Sequence, residues 1–281
     1  MKITEHDGRT YFRGWAGLEL YFDEHHPKEE PKASIVLVHG YAVHTGWFAQ
    51  VIDTFVSAGF SVYSFDLRGH GRSEGIRCDL LRFSDHVRDI ATFVDYVLEK
   101  SKGKRVFIVA HSLGAAAASL YVSQPEANID GLITTGLYIK DAGEYPRWKE
   151  IAGKLVAPFL PLLPIQEVDP NRIAVNPAVP EEYKRDPLIY NGNVRIRMAV
   201  HFLSIPRYLR HAGPGIRIPL IMFHGAEDKL ASIDASRRFF ADAASPDKQF
   251  IEVEGSGHEV LKDDSWQEVC AAIIGWLNDH I

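Results

Sequence analysis

The stretch VFIVAHSLGAAAASLYV, residues 106–122, decides the fold. It joins a short apolar run, typical of a strand buried on both faces, to an alanine-rich segment typical of a helix. Ser112 stands between them, on a turn that lifts its hydroxyl above the sheet edge and points the helix N-terminus at developing negative charge. We interpret Ser112 as an activated nucleophile, and the alternative is a serine that only shapes a tight turn.

The residues around Ser112 depart at one position from the usual nucleophile elbow, Gly-x-Ser-x-Gly. Ala110 replaces the first glycine, whereas Gly114 retains the second. Because alanine adds a single methyl group, we expect this methyl to fit beside the turn without loss of activity.

Strand-like and helix-like patterns alternate along most of the chain. Apolar runs span residues 35–39, 61–65, 106–110, 131–135, 219–224 and 249–253, and residues 9–23 have the pattern of a hairpin. Apolar residues recur at helical spacing in residues 47–59, 85–101, 234–243 and 265–281. This alternation predicts an α/β fold with a largely parallel sheet.

Between residues 137 and 213 the alternation stops and prolines accumulate. A structureless loop of this length is implausible inside a compact domain. We therefore predict an inserted cap of short helices at 137–213, with residues 1–136 and 214–281 forming the core. Residues 151–165 of this cap are markedly apolar, which is consistent either with packing on the core or with an apolar wall over an active site.

The composition limits the classes of function. The chain has 281 residues and a net charge of −6, which argues against a broad nucleic-acid-binding surface. Its two cysteines, Cys78 and Cys270, have no metal-site spacing and favour a reduced intracellular setting, with a single disulfide as the alternative. The first 15 residues lack the apolar core of a signal peptide, and no apolar run is long enough to span a membrane. We therefore expect a cytoplasmic protein.

The chain order predicts the partners of Ser112, because an elbow of this type is followed by the acid and then by the base. Asp228 follows the apolar run 219–224 and is the candidate acid, with Glu227 as its neighbouring competitor. His258 follows the run 249–253 in a glycine-containing loop that can approach the serine closely. We expect His258 to take the serine proton as general base and Asp228 to orient the imidazole and stabilise its cation.

The oxyanion of such a reaction needs preorganised N–H donors. One candidate is the backbone N–H of Leu113, and the other is that of Tyr41, whose loop has a plain glycine turn as its alternative interpretation. His44 lies in the same loop and can border the site. His111 directly precedes Ser112, but successive strand residues point to opposite faces, so we expect its side chain to point away.

Together these motifs resemble monoacylglycerol lipases and the lysophospholipase-type serine hydrolases of the α/β-hydrolase superfamily. The resemblance rests on VLVHGYAVHTGWF (36–48), FDLRGHGRSEG (65–75), AHSLGA (110–115), YKRDPLIYNG (183–192), HGAEDKL (224–230) and GSGHEVL (255–261). It implies an eight-stranded, mostly parallel sheet flanked by helices, with the cap inserted between the sixth and seventh strands. It also implies a Ser112–Asp228–His258 triad and an oxyanion hole from the N–H groups of Tyr41 and Leu113.

The resemblance further implies hydrolysis of a lipid monoester, such as a monoacylglycerol or lysophospholipid, without a metal or an organic cofactor. We expect Tyr41, His44 and three cap residues, Leu160, Leu163 and Ile165, to contact the substrate, and the cap to make transient contact with a membrane surface. A small-molecule esterase, thioesterase or amidase with the same triad is the alternative, and a non-catalytic binding module is a third hypothesis. The mammalian monoacylglycerol lipases carry a cysteine where this chain has Ala231, so thiol sensitivity at that site is not expected.

Overall fold

The computed structural model describes residues 1–143 and 147–281, and it leaves the side chains of residues 147 and 149 undescribed. Within these residues, nine strands form one sheet. They are β1 (Ile3–His6), β2 (Arg9–Arg13), β3 (Glu19–His25), β4 (Ser34–Val38), β5 (Ser61–Phe65), β6 (Val106–His111), β7 (Gly131–Thr135), β10 (Leu220–Gly225) and β11 (Lys248–Val253). A separate two-stranded sheet pairs β8 (Pro164–Gln166) with β9 (Val194–Arg195).

The strand order of the large sheet is β1-β2-β3-β5-β4-β6-β7-β10-β11. All pairs from β5 to β11 are parallel, and β1, β2 and β3 extend the sheet with antiparallel pairs. The α/β-hydrolase fold is therefore confirmed. The described sheet has one strand more than the eight expected, because β1 adds a hairpin to β2 through Asp7 and Gly8, both with positive φ.

Eight helices are found in the described part of the chain. They are α1 (Ala49–Ser57), α2 (Ser84–Lys100), α3 (Ser112–Val122), α4 (Arg147–Val156), α5 (Ala178–Arg185), α6 (Ile196–Leu209), α7 (Ile233–Asp242) and α8 (Trp266–Asp279). The strand β4 shows how both faces of the sheet are buried. Val36 and Val38 pack in the core that α2 and α3 cover, whereas Ile35 and Leu37 pack in the core that α1 and α8 cover.

The chain between β7 and β10, called here the β7–β10 segment, contains α4, β8, α5, β9 and α6. Residues 144–146, which belong to the predicted cap, lie outside the described residues. The helix α6 packs on α3, and the guanidinium of Arg197 pairs with the buried carboxylate of Asp79 in the core. The segment therefore covers the carboxyl edge of the sheet, where β6 ends.

Both cysteines are buried free thiols, so the single disulfide considered from the sequence is not formed. Cys78 lies in the loop before α2, and Cys270 lies in α8. Burial raises the pKa of each thiol to about 12, which keeps both side chains protonated and unreactive near neutral pH. Among the described helices, none is long and apolar enough to cross a membrane.

Candidate active site

Ser112 begins α3 immediately after β6, as the strand–serine–helix pattern predicts. Its φ is +52°, a left-handed conformation that costs a residue with a Cβ atom roughly 1–2 kcal/mol. The turn is tight because α3 packs closely on β4: a Cβ atom at Gly114 would lie 2.2 Å from the carbonyl oxygen of His39. Ala110 stands opposite Val38 in the sheet and is 1% exposed, so its methyl group is part of the core.

The side chains of Ser112, His258 and Asp228 form a continuous hydrogen-bonded chain. His258 Nε2 lies 2.7 Å from Ser112 Oγ, and His258 Nδ1 lies 2.7 Å from Asp228 Oδ2. An ionised carboxylate only accepts hydrogen bonds, so Nδ1 carries the ring proton and Nε2 of the neutral imidazole accepts the serine hydroxyl. The three predicted triad residues are thus brought together with the geometry that base-assisted nucleophilic attack requires.

Asp228 is held from two sides in the loop after β10. Its Oδ1 accepts hydrogen bonds from the backbone N–H groups of Leu230 and Ala231, at 2.7 and 2.8 Å. Its Oδ2 also lies 3.1 Å from Nε2 of the buried His224. Burial acts to raise the pKa of Asp228, but His258 and His224 outweigh it and hold the pKa well below its usual range. The competitor Glu227 does not enter this hydrogen-bonded chain, so the geometry selects Asp228.

The carboxylate of Asp228 raises the pKa of His258. Burial of His258 acts to lower the pKa of its imidazole, but the carboxylate of Asp228 outweighs this effect and raises that pKa. The cation that forms when His258 takes a proton is therefore stabilised inside the site. This is the electrostatic property that a general base needs for alternate uptake and release of a proton.

The backbone N–H groups of Tyr41 and Leu113 are free to bind an oxyanion. Within the described residues neither group donates to a protein acceptor, and Leu113 is too near the start of α3 to have an intrahelical partner. The loop of Tyr41 passes close to the nucleophile, since a Cβ atom at Gly40 would lie 3.0 Å from Ser112 Cβ. Both predicted donors therefore lie at the elbow.

The bulky side chain of Tyr41 packs between the loop before α2 and the β7–β10 segment. Its hydroxyl donates to the carbonyl oxygen of Cys78 at 3.2 Å, and its ring packs edge-on against Phe202 of α6, with centroids 5.1 Å apart. Phe202 also packs against Tyr138, again at 5.1 Å. The three rings form an aromatic wall next to Ser112.

A cavity of about 180 Å³ opens at the hydroxyl of Ser112. One wall is apolar and aromatic, and the other carries charged and polar groups. The first wall includes Tyr41, Tyr138, Val194, Ala199, Phe202 and Leu203, and the second includes Asp141, Gln166, Glu167, Asp169 and Arg172. Three carboxylates against one guanidinium make the polar wall acidic.

The other residues predicted to contact substrate do not line this cavity. His44 is buried, and its Nε2 lies 2.9 Å from Asp186 Oδ2 in the loop after α5. Leu160, Leu163 and Ile165 are 55%, 42% and 40% exposed, since they lie on the outer surface of the β7–β10 segment. The residues that follow them, from Gln166 to Asp169, line the cavity instead, although Gln166, Glu167 and Asp169 are themselves exposed.

Sequence reasoning missed Tyr138, Asp141 and Arg172, which come from a region without a regular pattern. It also placed the side chain of His111 away from the site, and this was wrong. The ring of His111 lines the cavity, with its centroid 4.9 Å from that of His258. The two-residue alternation does not extend across Ser112, because its left-handed φ ends the strand geometry there.

Comparison with known proteins identifies the family of the chain. The family model for Hydrolase_4, described as serine aminopeptidase, S33, matches residues 29–265. The monoacylglycerol lipase of Mycolicibacterium smegmatis is 27% identical over 271 residues, covering 96% of each chain. The crystal structure of the Paleococcus ferrophilus monoacylglycerol lipase has a TM-score of 0.81 at 26% identity, over 94% of this chain and 100% of that one.

A soluble variant of the monoglyceride lipase from Saccharomyces cerevisiae, solved with a substrate analog, has a TM-score of 0.86 at 23% identity. The match covers 99% of this chain and 96% of that one, and it supports the fold. The resemblance to monoacylglycerol lipases is therefore confirmed. Because the family model spans most of the chain, and the fold agrees with it, the chain belongs to the Hydrolase_4 family of α/β-hydrolase serine hydrolases.

Proposed function

We propose that the protein hydrolyses fatty-acid monoesters, preferentially monoacylglycerols, through an acyl-enzyme on Ser112. The observation that carries this proposal is the hydrogen-bonded chain from Ser112 through His258 to Asp228, beside two N–H groups that have no acceptor within the described chain. The relatives named monoacylglycerol lipase, matched over nearly the whole chain, support the substrate class.

In the acylation step, Ser112 Oγ attacks the ester carbonyl while His258 Nε2 takes its proton. The carbonyl oxygen becomes an oxyanion, which the N–H groups of Tyr41 and Leu113 stabilise. The C–O bond to the alcohol then breaks, and the imidazolium of His258 returns its proton to the departing alkoxide. Asp228 stays ionised throughout, because its pKa lies far below the working pH.

Deacylation repeats the same steps with water as the nucleophile. His258 takes a proton from water as the hydroxide adds to the acyl carbon, and the second oxyanion uses the same two donors. Collapse of the intermediate breaks the bond to Ser112 Oγ, which recovers its proton from His258. The products are a fatty acid and an alcohol, and the residues return to their starting protonation.

The two walls of the cavity support a neutral polyol as the leaving group. An acyl chain packs on the aromatic wall, where each buried methylene contributes about 0.8 kcal/mol. Hydroxyl groups of glycerol can hydrogen bond to Asp141 and Arg172 on the polar wall. A phosphate headgroup meets three carboxylates there, so a monoacylglycerol is favoured over an anionic lysophospholipid.

We also propose that residues 137–213 act as a cap and contact a lipid surface. Between residues 151 and 165 seven apolar side chains are at least 40% exposed: Ile151, Leu155, Phe159, Leu160, Leu162, Leu163 and Ile165. Contiguous apolar surface of this kind is rare on a monomeric soluble protein and suits a membrane interface. The protein would thus meet its substrate in the bilayer surface while remaining peripheral to it.

A second candidate activity is hydrolysis of an amide or of a small ester. The family description, serine aminopeptidase, is the finding that favours it. The triad serves both reactions, since the amine or the alcohol leaves with a proton from His258. The apolar outer surface of the β7–β10 segment favours the lipid ester.

The test compares native protein with Ser112→Ala on p-nitrophenyl esters from C2 to C16, on 1-monoolein, on lysophosphatidic acid and on aminoacyl p-nitroanilides. We expect turnover of long-chain esters and monoolein by native protein, little cleavage of the anionic lipid, and loss of all activity in Ser112→Ala. A steep preference for the acetate without monoolein turnover would contradict the lipid assignment. Faster cleavage of the anilides would favour the peptidase activity.

A further inference from the structure

Glu259 is a buried carboxylate directly after the base His258, and it takes no part in the proposed acylation and deacylation steps. It is 4% exposed and lines the cavity at Ser112. Its backbone is fixed as well, because its N–H donates to the carbonyl oxygen of Ile173 at 2.8 Å and its carbonyl accepts from the N–H of Lys262 at 2.7 Å. An acidic residue this deeply buried is rare unless it is paired.

Both carboxylate oxygens of Glu259 have a partner. Oε1 lies 3.2 Å from His111 Nε2, and Oε2 accepts a hydrogen bond from Trp47 Nε1 at 3.1 Å. The other ring nitrogen of His111, Nδ1, lies 3.0 Å from Thr135 Oγ1 at the end of β7. Burial acts to raise the pKa of Glu259, but His111 outweighs it, so that this pKa is lowered and the carboxylate is ionised.

The His111 ring held by this carboxylate lies against the catalytic base. Its centroid is 4.9 Å from that of His258, with the ring planes inclined by 57°. Gly136 leaves room for both rings, since a Cβ atom there would lie 3.2 Å from His111 Cε1 and 3.3 Å from His258 Cε1. Gly40 is close to another edge of the same ring, since a Cβ atom there would lie 3.0 Å from His111 Cδ2. The backbone on both sides therefore confines the His111 ring beside the base.

We propose that Glu259 and His111 form a positioning pair for His258. The buried charge of Glu259 stabilises the imidazolium that His258 becomes in each transition state, and the ring of His111 keeps the His258 imidazole aligned with Ser112 Oγ. Asp228 then shares with Glu259 the stabilisation of that cation. The inference rests on the proposed function, because it assigns a role in the same Ser112 chemistry.

The charged and titratable groups around this pair come from several elements. His258 contacts Asp228, which in turn contacts His224, and it packs against His111 from β6. Tyr183 of α5, Asp141 and Arg172 line the same cavity, and Lys262 lies over the ring of Trp47. After Asp228, Glu259 is the carboxylate of this set that acts to raise the pKa of His258.

The decisive variant is Glu259→Gln, which removes the charge and keeps the shape. We expect kcat for p-nitrophenyl butyrate to fall roughly ten-fold with KM within about two-fold, and the acid limb of the kcat/KM profile to move to lower pH by about one unit. The control, Glu254→Gln, removes an equal charge from an exposed site in the same loop region and should leave both quantities unchanged. Circular dichroism and Tm verify that each variant is folded.

Glu259→Asp separates charge from position and also serves if the Gln variant does not fold. It should lower kcat because His111 loses its contact, while the acid limb stays within about 0.2 pH units of native. A native profile and kcat in folded Glu259→Gln, or in Glu259→Asp, would overturn the pair. Activity retained in Ser112→Ala would instead overturn the proposed function, and loss of activity there with a native Glu259→Gln profile rejects the positioning pair alone.

Discussion

The imidazole Nε2 of His44 lies 2.9 Å from Oδ2 of Asp186, and this contact joins the loop that carries Tyr41 to the β7–β10 segment. The same loop is tied to that segment by the N–H of Tyr190, which donates to the carbonyl oxygen of Ala42 at 2.9 Å. His44 also accepts a hydrogen bond from the N–H of Gly46 through Nδ1. The position of Tyr41, the proposed oxyanion donor, therefore depends on contacts between its loop and the β7–β10 segment.

Replacement of Asp186 by alanine should weaken both the fold and the site. It leaves Nε2 of the buried His44 without its partner, at a cost of about 1–3 kcal/mol, so we expect Tm to fall by about 2–6 °C and kcat/KM to fall several-fold. Burial acts to raise the pKa of Asp186, but the hydrogen bond from His44 outweighs it and lowers that pKa. The stabilisation is thus present above the unfolded pKa of about 3.9 and is lost as pH falls through the lower folded value.

Thermal denaturation of native protein and Asp186→Ala between pH 3 and pH 7 checks this prediction. The difference in Tm should be largest near neutral pH and should shrink toward pH 3. An equal difference across the range would show that the carboxylate charge of Asp186 has no part in the effect.

The left-handed φ of Ser112 predicts a gain in stability when its Cβ atom is removed. Ser112→Gly and Ser112→Ala both lack the nucleophile, and both should be inactive and unlabelled by a fluorophosphonate probe. Glycine adopts a φ of +52° at no steric cost, whereas alanine keeps the strain of about 1–2 kcal/mol. We expect Ser112→Gly to unfold about 2–4 °C above Ser112→Ala, as measured by calorimetry. A lower Tm for the glycine variant would show that flexibility of the unfolded chain outweighs the strain.

The raised pKa of His258 predicts how activity depends on pH. His258 accepts a proton only when neutral, so kcat/KM should fall as pH drops through its folded pKa, which lies above the ordinary value of about 6.5. Asp228→Asn removes the charge that raises this pKa. The acid limb should then move to lower pH, while kcat falls by about 10⁴ because the imidazole loses its orienting carboxylate.

Steady-state rates for a soluble p-nitrophenyl ester between pH 4.5 and pH 9 measure both effects. An acid limb that stays in place in Asp228→Asn would assign the titration to a group other than His258. Native protein measured in parallel at each pH separates this effect from unfolding.

The exposed apolar surface of the β7–β10 segment predicts binding to lipid vesicles. Leu155 and Phe159 are 67% and 83% exposed, and replacing both with serine removes much of this surface without touching the cavity. We expect the double variant to lose at least ten-fold in vesicle affinity in a sedimentation assay, while it hydrolyses p-nitrophenyl butyrate at the native rate. Ile3→Ser, at an exposed position on the outermost strand, is the control that should bind as native protein does.

The sequence predicted the core strands well, and it pointed to the three residues that the structure brings together as a candidate triad, since both follow from strong local patterns. Buried parallel strands appear in a sequence as apolar runs. The elbow at Ser112 predicts the order in which the acid and the base follow along the chain. The hairpin between β1 and β2 was less visible, although Asp7-Gly8 is a known turn signal between short strands. The strand β1 is four residues long, mostly polar and largely exposed, so periodicity alone did not separate it from an irregular terminus.

The cavity was less predictable because its walls depend on how distant segments meet. Nothing in the sequence around Leu160 or Ile165 distinguishes a side chain that points outward from one that faces the site. The apolar character of the segment favoured side chains that face the site. His44 was chosen for its place in the oxyanion loop, but its partner Asp186 lies 142 residues away. The sequence does contain a signal for Glu259 as a site residue. It is a charged residue that stands between the candidate base His258 and the apolar pair Val260 and Leu261.

The two buried thiols make the protein a convenient subject for site-selective labelling. Cys78 and Cys270 are protonated and shielded, so activity should survive treatment with a maleimide at neutral pH. A cysteine introduced by Phe159→Cys would then be the reactive thiol of the chain, without prior removal of the native pair. A fluorophore or spin label attached there would report polarity at the outer surface of the β7–β10 segment, and hence its entry into lipid, in an enzyme whose interior is otherwise unmodified.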